Sequence, residues 1–204
     1  SDNDATLLNV YVNGEAATQS GDSFTYTIKL DNPDAPKTQE PKLKSISYEA
    51  KNGQIVNVDF QGVNATSYIE VTSSDLSVTK TYDLTINTQK SHYAYLSMIT
   101  VNGTPITGFT PSTNSYTIDN VEPGPITVEY GSDDLYQTYQ ESNAGDTYYI
   151  EVTAEDGNIC TYTVNIKYRA LSTNACLKDL LLDGYNFADF TALGRGTVLP
   201  NSFV

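Results

Sequence analysis

Three stretches of this chain open alike: Ala5-Thr-Leu-Leu-Asn-Val-Tyr-Val-Asn-Gly14, Ala94-Tyr-Leu-Ser-Met-Ile-Thr-Val-Asn-Gly103 and Ala175-Cys-Leu-Lys-Asp-Leu-Leu-Leu-Asp-Gly184. They start at positions 5, 94 and 175, so they lie 89 and 81 residues apart. A chain that repeats at such a period is built from copies of one folding unit, and no other feature restricts its fold as much. In each copy Leu is followed three and five residues later by apolar residues, and then by Asn-Gly or Asp-Gly. That is a strand ending in a tight turn, because Asn and Gly accept the positive φ such turns demand. The closing segments repeat as well. Tyr68-Ile-Glu-Val-Thr72 answers Tyr149-Ile-Glu-Val-Thr153, and Thr81-Tyr-Asp-Leu-Thr-Ile86 answers Thr161-Tyr-Thr-Val-Asn-Ile166.

Within the segments the apolar period is two. Phe24, Tyr26, Ile28 and Leu30 alternate with polar residues, as do Val56, Val58 and Phe60, and then Tyr162, Val164 and Ile166. Such alternation predicts strands with one buried and one solvated face. Strands are expected near 6–12, 23–30, 42–49, 54–60, 67–72 and 80–87 in the first unit. In the second they fall near 95–101, 115–118, 125–130, 135–140, 147–153 and 160–168. Short strands separated by Gly, Pro and Asn turns predict antiparallel sandwiches rather than a parallel sheet. The fold class is therefore all-β, with tandem immunoglobulin-like sandwich domains at 1–90 and 91–170. Residues 171–204 are too few for another sandwich and read as the opening strand of a truncated third repeat. Its Phe187 and Phe190 stand at the places of Ile106 and Phe109, and residues 175–190 are expected to pack on the second domain or on a neighbouring molecule. The first unit carries an extra irregular stretch through Asp31-Asn-Pro-Asp-Ala-Pro36 and Thr38-Gln-Glu-Pro41, and the linkers near 88–93 and 168–174 are short enough to restrict bending.

The second unit resembles the bacterial cadherin-like β-sandwich repeat. The residues that carry the likeness are Leu96-x-x-Ile99-x-Val101-Asn-Gly103, Ile106-x-Gly-Phe109-x-Pro111-x-x-x-x-Tyr116, Tyr149-Ile-Glu-Val-Thr-Ala-Glu-Asp-Gly157 and Tyr162-x-Val164. The first unit matches at its ends but lacks the Phe-x-Pro segment, and the third matches only at its opening. The resemblance implies a spacer or adhesion module of a Bacteroidetes-type surface lipoprotein, exported and anchored at the outer membrane or released outside the cell. It implies no catalytic residues and no cofactor, and the acidic inter-domain motifs of animal cadherins are absent.

Charge narrows the partners. With 25 Asp and Glu against 11 Lys and Arg, the net charge of −14 repels nucleic-acid phosphates and anionic lipid. No stretch reaches the roughly 18 apolar residues that span a bilayer. With no charged segment leading an apolar one, any signal peptide is expected to have been removed already. The single histidine, His92, lies in a linker. No Gly-x-Ser-x-Gly elbow accompanies it, so a non-enzyme is expected. Cys160, among alternating Tyr and Val, reads as a small core residue, with pairing to Cys176 left open. Acidic clusters at Asp31–Asp34, Asp119–Glu122, Asp133–Asp134 and Glu155–Asn158 lack the spaced pattern of a calcium loop, and turn formation accounts for them.

Ligand binding by aromatic residues is the sharpest chemical suggestion. Tyr130, Tyr136 and Tyr139 crowd around Asp133 and Asp134, and tyrosine faces beside carboxylates suit a sugar surface. Cross-strand packing of the same tyrosines is the competing account. The expected function is a cell-surface structural or adhesion module whose partner is a surface glycan or a host or cell-surface protein. The alternatives are a carbohydrate-binding module of a polysaccharide-capture lipoprotein and an accessory segment of a secreted glycan-processing enzyme.

Overall fold

The computed structural model describes residues 2–173, together with the backbone of Leu181–Leu182 and Tyr185–Asn186. Every regular element among them is a strand. The first sandwich uses β1 (Asn9–Val12), β2 (Glu15–Ala16), β3 (Thr18–Ser20), β4 (Ser23–Ile28), β5 (Ile46–Glu49), β6 (Ile55–Asp59), β7 (Thr66–Thr72) and β8 (Thr79–Thr88). A three-stranded sheet of order β2-β1-β5 faces a five-stranded sheet of order β3-β4-β8-β7-β6. The second sandwich follows with β9 (Met98–Val101), β10 (Thr104–Pro105), β11 (Ser115–Val121), β12 (Val128–Gly131), β13 (Thr138–Ala144), β14 (Thr147–Thr153) and β15 (Ile159–Tyr168). Its sheets run β10-β9-β12 and β11-β15-β14-β13. The described chain is thus an all-β protein built of β-sandwiches.

Each core is the set of residues that the alternation points inward. In the first sandwich Val10, Val12, Phe24, Ile69, Val71, Tyr82, Leu84 and Ile86 are buried, joined by Ala5 and Leu7 ahead of β1. In the second Leu96, Ile99, Val101, Ile150, Val152, Tyr162, Val164 and Ile166 are buried. Burial of this kind is the dominant favourable term in folding, at about 25 cal/mol per Å² of apolar surface. The turn signals fold as their residues dictate. Asn13 and Gly14 have φ of 50° and 81°, and Asn102 and Gly103 repeat this at 48° and 80°.

Two expectations are corrected. The first sandwich is not wholly antiparallel: β4 and β8 pair in parallel, from Ser23↔Asp83 to Ile28↔Thr88. A chain that enters near one end of a sandwich and leaves near the other brings its early and last strands side by side in the same direction. Alternation also overstates burial in β6 and just beyond it, where Val58 and Phe60 are exposed. That strand is the edge of a five-stranded sheet facing only three strands, so little covers it.

By compactness the described residues of 1–118 and 125–166 form one unit, which contains both cores, and those of 119–124 and 167–204 form another. In the latter, Arg169 binds the Val121 carbonyl through its N–H at 2.9 Å and Glu122 Oε1 through Nε at 2.6 Å. Leu181–Leu182 pairs antiparallel with Tyr185–Asn186. Cys176, Phe187, Phe190 and the expected docking of 175–190 lie outside the described residues.

Candidate functional site

The loops around Ser132-Asp-Asp134 hold a dense cluster of hydrogen-bonded polar residues, and Lys37 is at their centre. Lys37 belongs to the extra stretch of the first unit, where Pro33, Pro36 and Pro41 limit backbone freedom. Its backbone is clasped in both directions. The Lys37 N–H donates to Asp134 Oδ2 at 2.8 Å, and the Leu135 N–H donates to the Lys37 carbonyl at 2.9 Å. Four residues earlier the Pro33 carbonyl accepts the His92 N–H at 3.1 Å. The first-unit stretch therefore grips the linker and a loop of the second sandwich together.

The side chain completes the grip. Lys37 is 3% exposed. Its Nζ lies 2.9 Å from both carboxylate oxygens of Glu155, 3.0 Å from Glu40 Oε2 and 3.3 Å from the Gln89 carbonyl. The Tyr136 ring lies over it, with its centroid 4.3 Å away. A buried ammonium with fewer acceptors would be strongly unfavourable, and this one has partners for every proton. Burial works against the charged form, but the Glu155 and Glu40 carboxylates outweigh it and hold the Lys37 pKa above the usual lysine range.

The linker is bonded on its other sides. Ser91, fully buried, donates its hydroxyl to Asp134 Oδ2 at 3.1 Å, and its carbonyl accepts the Asp156 N–H at 3.1 Å. Gln137 Nε2 donates to the carbonyls of Tyr93 and Tyr95 at 2.9 and 3.0 Å. His92 is exposed, with Nδ1 2.7 Å from Asp156 Oδ2. Burial pushes the Asp156 pKa up, but the Asn158 N–H and His92 prevail and hold it below the usual carboxylate range.

The structure divides the five residues singled out by sequence. Asp134 is 3% exposed and lies beneath the surface. Its Oδ2 takes Lys37 and Ser91, while its Oδ1 accepts the Tyr136 N–H at 2.8 Å. It ties the sandwiches together, and Asp133 beside it is exposed. Tyr136 is turned to Lys37. Tyr130 and Tyr139 do meet, edge to face with centroids 5.3 Å apart. The Tyr130 hydroxyl donates to Glu141, and burial first, then this carboxylate, pushes its pKa up to about 12. Tyr93 and Tyr95, missed from sequence, form a second edge-to-face pair at 5.4 Å, held to the same loop by Gln137 and by Ser132, whose hydroxyl donates to the Tyr95 carbonyl. Their position two residues apart, beside the linker, was the available signal.

Cys160 is half-buried rather than a core residue, and burial pushes its thiol pKa up. Among the described residues no group of three or more His, Cys, Asp or Glu is placed to hold a metal ion. No helix there is long and apolar enough to cross a membrane.

No protein-family model matches this chain, and no curated protein matches it in sequence. Among solved structures it is similar to Drosophila N-cadherin EC1-4, at 11% identity and a TM-score of 0.24, over 73% of this chain and 48% of that one. It is also similar to the human desmocollin-1 ectodomain, at 9% identity and a TM-score of 0.25, over 82% of this chain and 43% of that one. A further likeness is to the protocadherin gammaB4 extracellular domain, at 13% identity and a TM-score of 0.23, over 73% of this chain and 32% of that one. The chain spans less than half the length of each of these ectodomain structures.

Proposed function

We propose that this chain is a non-catalytic module of an exported surface protein, in which tandem cadherin-like sandwiches serve as a structural or adhesive spacer. The observation that supports this reading is the Lys37 junction. One buried ammonium and its own backbone bind Asp134, Glu155 and the linker, and a bonded linker resists the bending that free inter-domain linkers allow. Attachment to a bacterial outer surface through a lipid, as the repeat's resemblance implies, belongs to the same proposal, with a host or cell-surface protein as the partner. The surroundings of His92 favour a non-catalytic role, since the only partner of its ring among the described residues is the turn residue Asp156.

Hydrogen exchange tests the spacer. The amides of Lys37, His92 and Leu135 are expected to be protected in the intact chain. They should lose at least about tenfold in protection in Lys37→Gln, while Ile99 and Val164 keep theirs. Exchange of those three amides at unprotected rates in the unaltered chain would overturn the reading.

The paired tyrosines favour a second reading, a carbohydrate-binding face. Tyr95 and Tyr139 are exposed at 39% and 41% beside Gln137 and exposed Asp133, a combination that stacks on sugar rings and binds hydroxyls. Binding to neutral glycans on an array, abolished by Tyr95→Ala with Tyr139→Ala, is the outcome that would support it.

A further inference from the structure

The first sandwich contains a cleft of about 750 Å³, a volume typical of ligand sites, between β4 and the stretch from Asp31 to Lys44. Its charge is unlike the rest of the chain. Lys29, Lys42 and Lys44 line it, all are exposed, and among the described residues none makes an ion pair. The acidic residues of the lining are partly engaged. Glu15 accepts the Tyr26 hydroxyl at 2.7 Å and keeps its charge, Glu40 is paired with Lys37, and with Asp31 the lining holds three carboxylates against the four lysines Lys29, Lys37, Lys42 and Lys44. A local excess of unpaired cations in a chain of net charge −14 is not what solubility requires.

The walls are fixed before any ligand arrives. Asn13 Nδ2 donates to the Lys42 carbonyl at 3.0 Å, and its Oδ1 accepts the Lys44 and Ser45 N–H groups at 2.6 and 3.2 Å. The opposite wall is pinned at Lys37 by the junction. Preorganised walls spare a ligand the cost of ordering them. The fold itself does not need these lysines. Asn102 in the second repeat accepts the Thr127 N–H through its Oδ1 at 2.8 Å, and the corresponding run Gly124-Pro-Ile-Thr127 carries no charge.

We infer that this cleft binds an anionic saccharide, with Lys29, Lys42 and Lys44 taking its carboxylate or sulfate groups and half-buried Tyr26 offering its ring at the floor. A saccharide fits better than an acidic peptide, because the lining mixes one aromatic ring with neutral hydrogen-bonding groups such as Thr38 and Gln39. This site is separate from the tyrosine face and does not depend on the spacer reading.

Calorimetric titration of the intact chain decides it, with hexagalacturonate for carboxylates, a carrageenan hexasaccharide for sulfates, maltohexaose as the neutral control and hexaglutamate as the peptide control. At least one anionic saccharide should bind and maltohexaose should not. Lys29→Gln, Lys42→Gln and Lys44→Gln combined should weaken binding at least about tenfold with an unchanged circular-dichroism spectrum. Amide shifts on binding should map to residues 26–44. Whichever anionic sugar binds identifies the charged group. Binding of hexaglutamate as tight as either sugar, absence of binding by both sugars, or full affinity in the triple variant would each overturn the proposal. None of these results bears on amide protection at Lys37, so failure here is distinct from failure of the spacer.

Discussion

In the first sandwich the Tyr82 hydroxyl accepts the Leu7 N–H at 3.1 Å and reaches the Ala5 carbonyl at 3.4 Å. In the second, the Tyr162 hydroxyl accepts the Leu96 N–H at 3.0 Å and donates to the Pro111 carbonyl. Both tyrosines are buried in the last strand, and both fasten the segment that opens their own repeat. Their company differs. Phe24 packs on Tyr82 at 5.7 Å, whereas Phe109, from the Phe-x-Pro segment present only in the second unit, lies 6.2 Å from Tyr162 and stacks on Tyr116 at 5.5 Å. Two residues before each tyrosine stand Lys80, whose Nζ lies 4.9 Å from the Tyr82 ring centroid, and Cys160. The shared residues build the core, and the departures serve local purposes. The second unit places its extra residues around Tyr162, and the first places them in the stretch that carries Lys37.

If the cores are equivalent, truncation at matching positions should cost alike. Ile86 and Ile166 occupy the same place in the two repeats and are 1% and 5% exposed. Ile86→Ala and Ile166→Ala should each destabilise by about 2–4 kcal/mol, the range for a buried aliphatic residue whose cavity only partly collapses. Urea unfolding measures both. A loss below about 0.5 kcal/mol at either site would break the equivalence.

The hydroxyls come next. Tyr82→Phe and Tyr162→Phe keep the rings and leave the Leu7 and Leu96 N–H groups without acceptors, at a cost of about 1–3 kcal/mol each. The larger loss is expected at Tyr162, whose bond to Pro111 is shorter than that of Tyr82 to Ala5. Equal losses would mean that the Phe-x-Pro segment adds packing without strengthening the hydroxyl's role.

A third comparison is between the tyrosines of one pair. Burial and Glu141 push Tyr130 up to about 12, while burial first and then Asp134 raise Tyr139 to an extent that carries no such carboxylate bond. An unfolded tyrosine ionises near 10. Between that pH and about 12 the unfolded chain has released a proton that folded Tyr130 keeps, so stability falls as pH rises through this window. Near-ultraviolet titration should show Tyr130 ionising last of the pair, and Glu141→Gln should bring it down. Ionisation of Tyr130 at the ordinary value would show that Glu141 does not engage it in solution.

The strands and cores were legible because alternation writes burial directly into sequence, and Ile99, Val101, Val164 and Ile166 all point inward as expected. The Asn-Gly turns were equally plain. Their second task was not, since nothing local says that the Asn13 and Asn102 side chains will clamp residues 31 and 25 positions away. Lys37 was illegible for the same reason. It follows no period, and its partners Asp134 and Glu155 are 97 and 118 residues distant. The burial of Asp134 was equally hidden, because a turn carboxylate has the same local pattern whether it faces water or the Lys37 backbone. The prolines at 33, 36 and 41 were the one hint that this stretch is held to a shape.

The smallest effect expected is a gain. Tyr11 and Thr100 occupy the same place in the two opening strands, between core residues that point to the other face. Tyr11 is half-buried and directs its hydroxyl to Glu49 Oε2 at 3.3 Å. Thr100 is 6% exposed, and its Oγ1 has no hydrogen-bond partner among the described residues. A buried hydroxyl without a partner costs free energy that a methyl of the same shape does not. Valine keeps the β-branch that suits β9 and replaces only that hydroxyl. Thr100→Val should therefore stabilise the chain by about 0.5–1 kcal/mol, read as a shift of the urea midpoint at constant slope. Tyr11→Phe, the matching change in the first repeat, removes a made bond from a partly solvated group and should be neutral or mildly destabilising. A loss of stability in Thr100→Val would show that the hydroxyl is satisfied in solution, and the two opening strands would then be closer in kind than their side chains suggest.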